Sequence, residues 1–157
     1  QRVIANPDGF GAGRLGTILY GKGANKFVGY GAAFGAYMVD ITANKITPIY
    51  AGNDGLQCKI DYAGNQLLML TTDGKLRVYN LATGALKKEG MAISPVNTTD
   101  AFKPVMEASS HYAYIAMPSL GEVHQIDLTD FSKVVKHKVS AKPVRLTLLG
   151  YETNESH

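Results

Sequence analysis

Apolar and polar positions alternate with a period of two through most of the chain. In "KLRVYN" the aliphatic residues Leu76 and Val78 fall on every second position, as Ala113 and Ile115 do in "YAYIAM". Extended backbone sends successive side chains to opposite faces, so this alternation predicts short strands with one apolar face each. The same local grammar recurs three times, in "KFVGYGAAFGAYMVDITANKITPI", "QLLMLTTDGKLRVYNLATGALKKEG" and "YAYIAMPSLGEVHQIDLTDFSKVVKHKV". Each segment reads as an apolar strand, a Gly-bearing turn, and a second strand ending in an acid or amide followed by an aliphatic residue. A short Thr-bearing turn then leads to a third strand. The endings Asp40-Ile41, Asn80-Leu81 and Asp127-Leu128 are 40 and 47 residues apart. Asp and Asn suit such positions because their side chains bond to the backbone of the turn that follows. Upstream of each triplet lies a further strand candidate: "GTILYGK", "QCKIDYA" and "KPVMEAS".

Four strands per repeat at this period predict an all-β protein built of β-propeller blades, each a four-stranded antiparallel sheet. A lone sheet of this kind cannot bury its apolar faces and must stack on a neighbour. A last segment, "KPVRLTLLG", reads as the start of a fourth blade. Three to four blades make an incomplete ring, since propellers close with about four to eight. The chain is therefore expected to be part of a larger propeller, to pair with its remaining half, or to form a symmetric assembly. The partial propeller is expected over residues 1–150, with a flexible tail over 151–157.

Composition narrows this picture little. At 157 residues, 45% hydrophobic and 18% charged, the chain is large enough for a core and is neither disordered nor membrane-spanning in character. No run approaches the ~18 apolar residues of a membrane span, so no membrane insertion is expected. The net charge of +3 is spread thinly, except in "FSKVVKHKVSAKPVR", where Lys133, Lys136, Lys138, Lys142 and Arg145 read as a solvated strand face. No nucleic-acid partner is expected, because binding one would need a denser patch with stacking aromatics. "QRVIANPDGFG" has neither the charged start nor the apolar centre of a signal peptide and opens without Met, as a mature or truncated product would. "GAGRLG" at residues 11–16 matches G-x-G-x-x-G, the spacing of a dinucleotide-binding turn. That turn requires a strand before it, a helix opening on its last glycines and an acid about 20 residues on. Pro7 breaks the preceding run, and strand-like sequence follows. Gly9, Gly11, Gly13 and Gly16 are read instead as an approach to an inner strand, where tight bends and close backbone contact favour Gly.

The run "RVYNLATGALKK…HYAYIAMPSLGEVHQIDLTDFSKVVKHKVSAKPVRLTLLG", with "PDGFGAGRLGT" upstream, resembles the carboxyl-terminal half of AztD-type periplasmic zinc metallochaperones. The resemblance covers nearly the whole chain. It implies an eight-bladed type of propeller of which this is about the second half. It also implies zinc as the cargo, a periplasmic location, and delivery to the solute-binding protein of an ABC zinc importer. The His-rich acidic segment that captures zinc in that family belongs to its amino-terminal side and is not in this sequence, so few ligand positions carry over.

Four histidines could carry metal chemistry. Glu122 and His124 lie two apart on a predicted strand, about 7 Å along the chain and on one face, and together supply part of a zinc set. Two further ligands would have to come from elsewhere; otherwise the pair is a cross-strand polar contact between blades. His111 sits at a turn near Glu107, His137 alternates with lysines, and His157 ends the chain. Cys58, the sole cysteine, is expected to be a buried inert thiol. Asp61, Glu107 and Arg145 form a thin set at the inner ends of the repeats, too sparse for paired-carboxylate or Ser/His/Asp catalysis. Asp73-Gly74 reads as a hairpin turn, and the sequons at Asn97 and Asn154 read as incidental. The order of expectation is a zinc carrier first and a non-catalytic interaction scaffold second. A propeller lactonase, lyase or dehydrogenase comes last.

Overall fold

A computed structural model describes residues 3–7, 15–139 and 141–149. The described residues form three four-stranded antiparallel sheets and contain no helix. The first sheet comprises β1 (Thr17–Gly21), β2 (Lys26–Gly31), β3 (Gly35–Asp40) and β4 (Lys45–Ala51). The second comprises β5 (Gly55–Ile60), β6 (Gln66–Thr71), β7 (Lys75–Asn80) and β8 (Leu86–Met91). The third comprises β9 (Val105–Ala108), β10 (Tyr112–Met117), β11 (Glu122–Asp127) and β12 (Val134–Lys138). Each sheet is a meander in chain order, so each repeat is one blade. The first strands of successive blades lie beside each other, β1 by β5 and β5 by β9, which marks them as the inner strands. β4, β8 and β12 form the outer rim and are largely exposed.

The blade boundaries come from turn chemistry that repeats. Asp40 Oδ1 accepts from the amide of Ala43 at 2.8 Å, Asn80 Oδ1 from Ala82 at 2.9 Å, and Asp127 Oδ1 from Thr129 at 2.7 Å. One side-chain acceptor therefore closes the third hairpin of every blade. The inner hairpins are closed in the same way, by Asp61 on the amides of Asn65 and Gln66 and by Ser109 on that of Tyr112. Gly74 holds φ +87° in the Asp73-Gly74 hairpin, as its sequence predicts.

The middle blade explains why the sheets stack. On β6, Leu68 and Leu70 join the core shared with the third blade, beside Leu76, Val78, Met106, Ile115 and Ile126. Leu67 and Met69, on the opposite face, join Val28, Ala36, Cys58, Tyr79 and Leu81 in the core shared with the first blade. All four β6 side chains are fully buried, and burial of each is worth about 1.5–3 kcal/mol. Backbone bonds latch the turns together: the amide of Ala24 donates to the carbonyl of Gly64 at 2.9 Å, and that of Tyr62 to Ala108 at 3.0 Å.

Three expectations need correction or fall outside the described residues. Residues 142–149 form no strand, because a strand exists by pairing and the described residues offer this segment no partner. Gly16 meets nothing within 4 Å of where its Cβ would stand, so close contact does not explain it. Gly9, Gly11 and Gly13, the tail over 151–157, His157 and the Asn154 sequon lie outside the described residues.

Candidate functional site

Strand alternation on β11 turns Glu122, His124 and Ile126 to the face that meets the second blade. His124 sits opposite Ile115 on β10 and Lys136 on β12, and is only 6% exposed. Glu122 and His124 meet, with His124 Nε2 and Glu122 Oε2 2.9 Å apart. An ionised carboxylate only accepts, so the ring N–H donates. That hydrogen bond, with the charges of His124, Lys136 and Lys138 behind it, holds the Glu122 carboxyl below the usual carboxylate range. Glu122 is therefore anionic at neutral pH. The pair is thus a contact within one strand; it is not a cross-strand pair between blades. His124 lines a surface groove between the second and third blades, with Ile93, Ser94, Pro95, Val134 and Lys136.

Chemically this is a buried imidazole with an oriented carboxylate, a donor pair suited to a divalent cation when the imidazole is neutral. Lys136 on the same wall opposes a cation by its charge. Among the described residues no three His, Cys, Asp or Glu side chains gather as a metal-binding group. The pair alone is therefore half of a tetrahedral site.

The other candidates are dispersed. His111 is exposed at the turn before β10, and His137 is exposed on β12, where its Nε2 lies 3.2 Å from Gln125 Oε1. Asp61 is 3% exposed and occupied as a hairpin cap. Glu107 pairs with Lys59 at 2.8 Å across the inner strands of two blades, and Arg145 lies exposed outside any strand. Asn97 Oδ1 accepts from the amide and hydroxyl of Thr99, a local turn. Cys58 is buried as expected, and burial pushes its thiol up to about 12, which leaves it protonated and unreactive. Sequence reasoning missed Tyr30 beside it. Burial, then the neighbouring Cys58, push that phenol up to about 12, and its oxygen is buried without a hydrogen bond. No local sequence signal marks such a contact, since its surroundings come from two blades.

Comparison with known proteins yields structural likeness alone. The sequence matches no protein-family model and no curated protein. The fold is similar to that of AztD from Citrobacter koseri, with a TM-score of 0.76 at 19% identity over 90% of this chain and 39% of that one. It is also similar to the β-propeller domain of Cps50 (Swd1) from Myceliophteria thermophila, at TM-score 0.52 and 12% identity, covering 76% and 37% of the two chains. A third likeness is to dihydro-heme d1 dehydrogenase NirN, at 0.56 and 11%, covering 81% and 28%. The chain spans well under half the length of each. The resemblance to AztD read from the sequence thus holds at the level of fold, and the blades are propeller blades.

Proposed function

We propose that the chain is a segment of a periplasmic zinc-carrying propeller of the AztD kind, which passes Zn²⁺ to the solute-binding protein of an ABC importer. The observation that carries this is the match to AztD over 90% of the chain at a TM-score of 0.76, well above the 0.52 and 0.56 of the other propellers compared. The chain's exposed blade faces, such as that of Ile18 and Tyr20 on β1, suit the remaining blades of a longer ring. The proposed role is transport without catalysis.

In this reading Glu122 and His124 contribute two donors to zinc. The carboxylate is ready at neutral pH, and the imidazole must release Glu122 and be unprotonated to bind. The test is calorimetry with the longer parent protein, where submicromolar zinc binding is expected. No uptake there removes the carrier reading. For this chain, weak binding that disappears in His124→Ala supports the pair, and an unchanged titration retires it.

A second reading, a non-catalytic interaction scaffold, is favoured by the position of Lys136, whose ammonium weakens the pair as a cation site. Fold alone does not choose between chemistries, and a dehydrogenase shares it. Turnover of a lactone or sugar by the purified protein would promote the enzyme reading over both.

A further inference from the structure

The outer strands of the three blades differ in how they guard their open edges. An edge strand offers unpaired backbone groups to any extended chain, and proteins blunt it with bulges, proline and charge. β4 carries Pro48, which has no N–H, and its register breaks opposite Ala36 and Tyr37. β8 carries a register break opposite Val78 and Tyr79. Its lysines are also tied down, Lys87 Nζ to Gln66 Oε1 at 2.7 Å and Lys88 Nζ to the Thr129 carbonyl at 2.8 Å. β12 has neither proline nor bulge, and charge alone, Lys136 and Lys138, guards it. Its register with β11 runs unbroken from Ile126 opposite Val134 to Glu122 opposite Lys138, and all of it beyond Val134 is exposed.

The backbone direction on β12 is fixed by its two ends. The Lys133 carbonyl accepts from Asp127 at 3.1 Å, and the Val139 amide donates to Gly121 at 2.9 Å. Peptide groups alternate sides along a strand, so odd-numbered residues turn theirs toward β11. The N–H and C=O groups of Lys136 and Lys138 therefore point away from the sheet. Among the described residues, none bonds back to them. Residues 141–149 leave for the inner strands, where Val144 lies with Leu56, Phe102 and Val105.

From these features we infer that β12 is a docking strand for an extended segment of another protein that alternates acidic and aliphatic residues. Such a segment adds to the sheet as a fifth strand, a known mode of peptide recognition. Lys136 and Lys138 lie on the face shared with His124, while Val135, 54% exposed, lies on the other. A docked strand thus meets cations on one face and an apolar residue on the next, and period-two alternation answers both. The nearest acid on the lysine face, Glu122, stands opposite Lys138 and offsets one of the two lysine charges, while Asp127 and Asp130 lie at the far end near Lys133. This inference does not depend on zinc.

The test uses the whole chain and a capped, fluorescent Glu-Val-Glu-Val-Glu peptide, read by anisotropy. Saturable binding is expected, weakened by salt. Methylating alternate peptide amides in one phase abolishes it, and methylating the other phase does not. Replacing both lysines, Lys136→Glu with Lys138→Glu, weakens binding about tenfold, and a Lys-Val-Lys-Val-Lys peptide recovers it. Absence of saturable binding overturns the proposal. So does equal loss in both methylation phases, or equal affinity for a peptide with its glutamates in one block. An oligonucleotide that displaces the peptide at matched charge overturns it in favour of a nonspecific cationic surface. The methylation arm uses the unaltered protein, so misfolding of a variant cannot hide the answer.

Discussion

The two inter-blade interfaces use opposite faces of one strand, yet they are built differently. Between the second and third blades, thirteen buried residues among those described, chiefly aliphatic, form one core that includes Leu70, Leu76, Met106, Ile115 and Phe131. Between the first and second blades seven of the described residues are buried, and Tyr30 and Tyr50 pack at the margin beside buried Tyr79. Tyrosine brings a hydroxyl that needs a partner when buried, and Tyr30 lacks one. Both interfaces also carry a cation over a ring, Arg77 over Tyr50 at 4.7 Å and Lys88 over Phe131 at 5.2 Å. The lesson is that identical backbone architecture leaves the strength of stacking to side-chain volume and polarity. The third blade should hold to the second more firmly than the first does.

The largest effect is expected at the stronger interface. Ile115→Ala removes a fully buried side chain from the middle of the aliphatic core and should cost about 2–5 kcal/mol, read as a lowered denaturant midpoint. Val28→Ala, its counterpart at the weaker interface, deletes less volume and should cost about half as much. Equal losses would mean that the interfaces are equivalent despite their composition.

Gly64→Ala attacks the weaker interface through the backbone. Gly64 holds φ +78°, and a Cβ there would stand 2.5 Å from the amide nitrogen of Lys22, beside the latch to Ala24. Left-handed strain alone costs about 1–3 kcal/mol. Hydrogen exchange should quicken in β1 and β2 while β10 stays protected. Uniform quickening across all three blades would show that they open as one unit.

Much of this architecture was legible because its determinants are local. Asp40, Asn80 and Asp127 act on amides two or three residues away, so their spacing reported the blades directly. Glu122 and His124 were legible for a related reason, since residues two apart on a strand share a face. The intrusion of Lys136 on that pair was not, because it depends on the register of β11 with β12. The pairings of Lys59 with Glu107 and of Arg77 with Tyr50 join different blades and leave no trace in local pattern. The strand expected over 142–150 failed in its described residues, 142–149, because alternation supplies a face but no partner. The edge of β12, guarded by charge alone, was visible in sequence only as a basic run.

A smaller effect tests the polar part of the weaker interface. Arg77 lies over Tyr50 and its Nε donates to Glu89 at 2.6 Å. Arg77→Met keeps the stem and removes these contacts and the 3.1 Å bond to Thr71 Oγ1, with an expected loss of about 1 kcal/mol. Thermal melts at low and high salt should differ little for the variant and measurably for the parent.

The smallest and most selective effect separates blades by acidity. The Thr129 hydroxyl, then its amide, hold the Asp127 carboxyl below its ordinary 3.8. A depressed folded value means the unfolded chain binds protons first as pH falls. The contribution of Asp127 is therefore complete above about pH 4 and is lost as pH drops through the depressed value. Asn80 closes the equivalent turn of the middle blade with an amide oxygen that does not titrate in this range. Asp127→Asn should thus change the melting temperature little near neutrality and narrow the fall between about pH 6 and pH 3, since amide and carboxylate both accept at the turn. The reciprocal Asn80→Asp should widen it by installing a titrating cap where none exists. Asp40, Asp73 and Asp130 also have lowered values and keep the residual acid sensitivity of both variants. Melting curves of Asp127→Asn that stay parallel to the parent at every pH would show that these caps do not couple folding to protons, and blades one and three would then lose their distinction from the middle one.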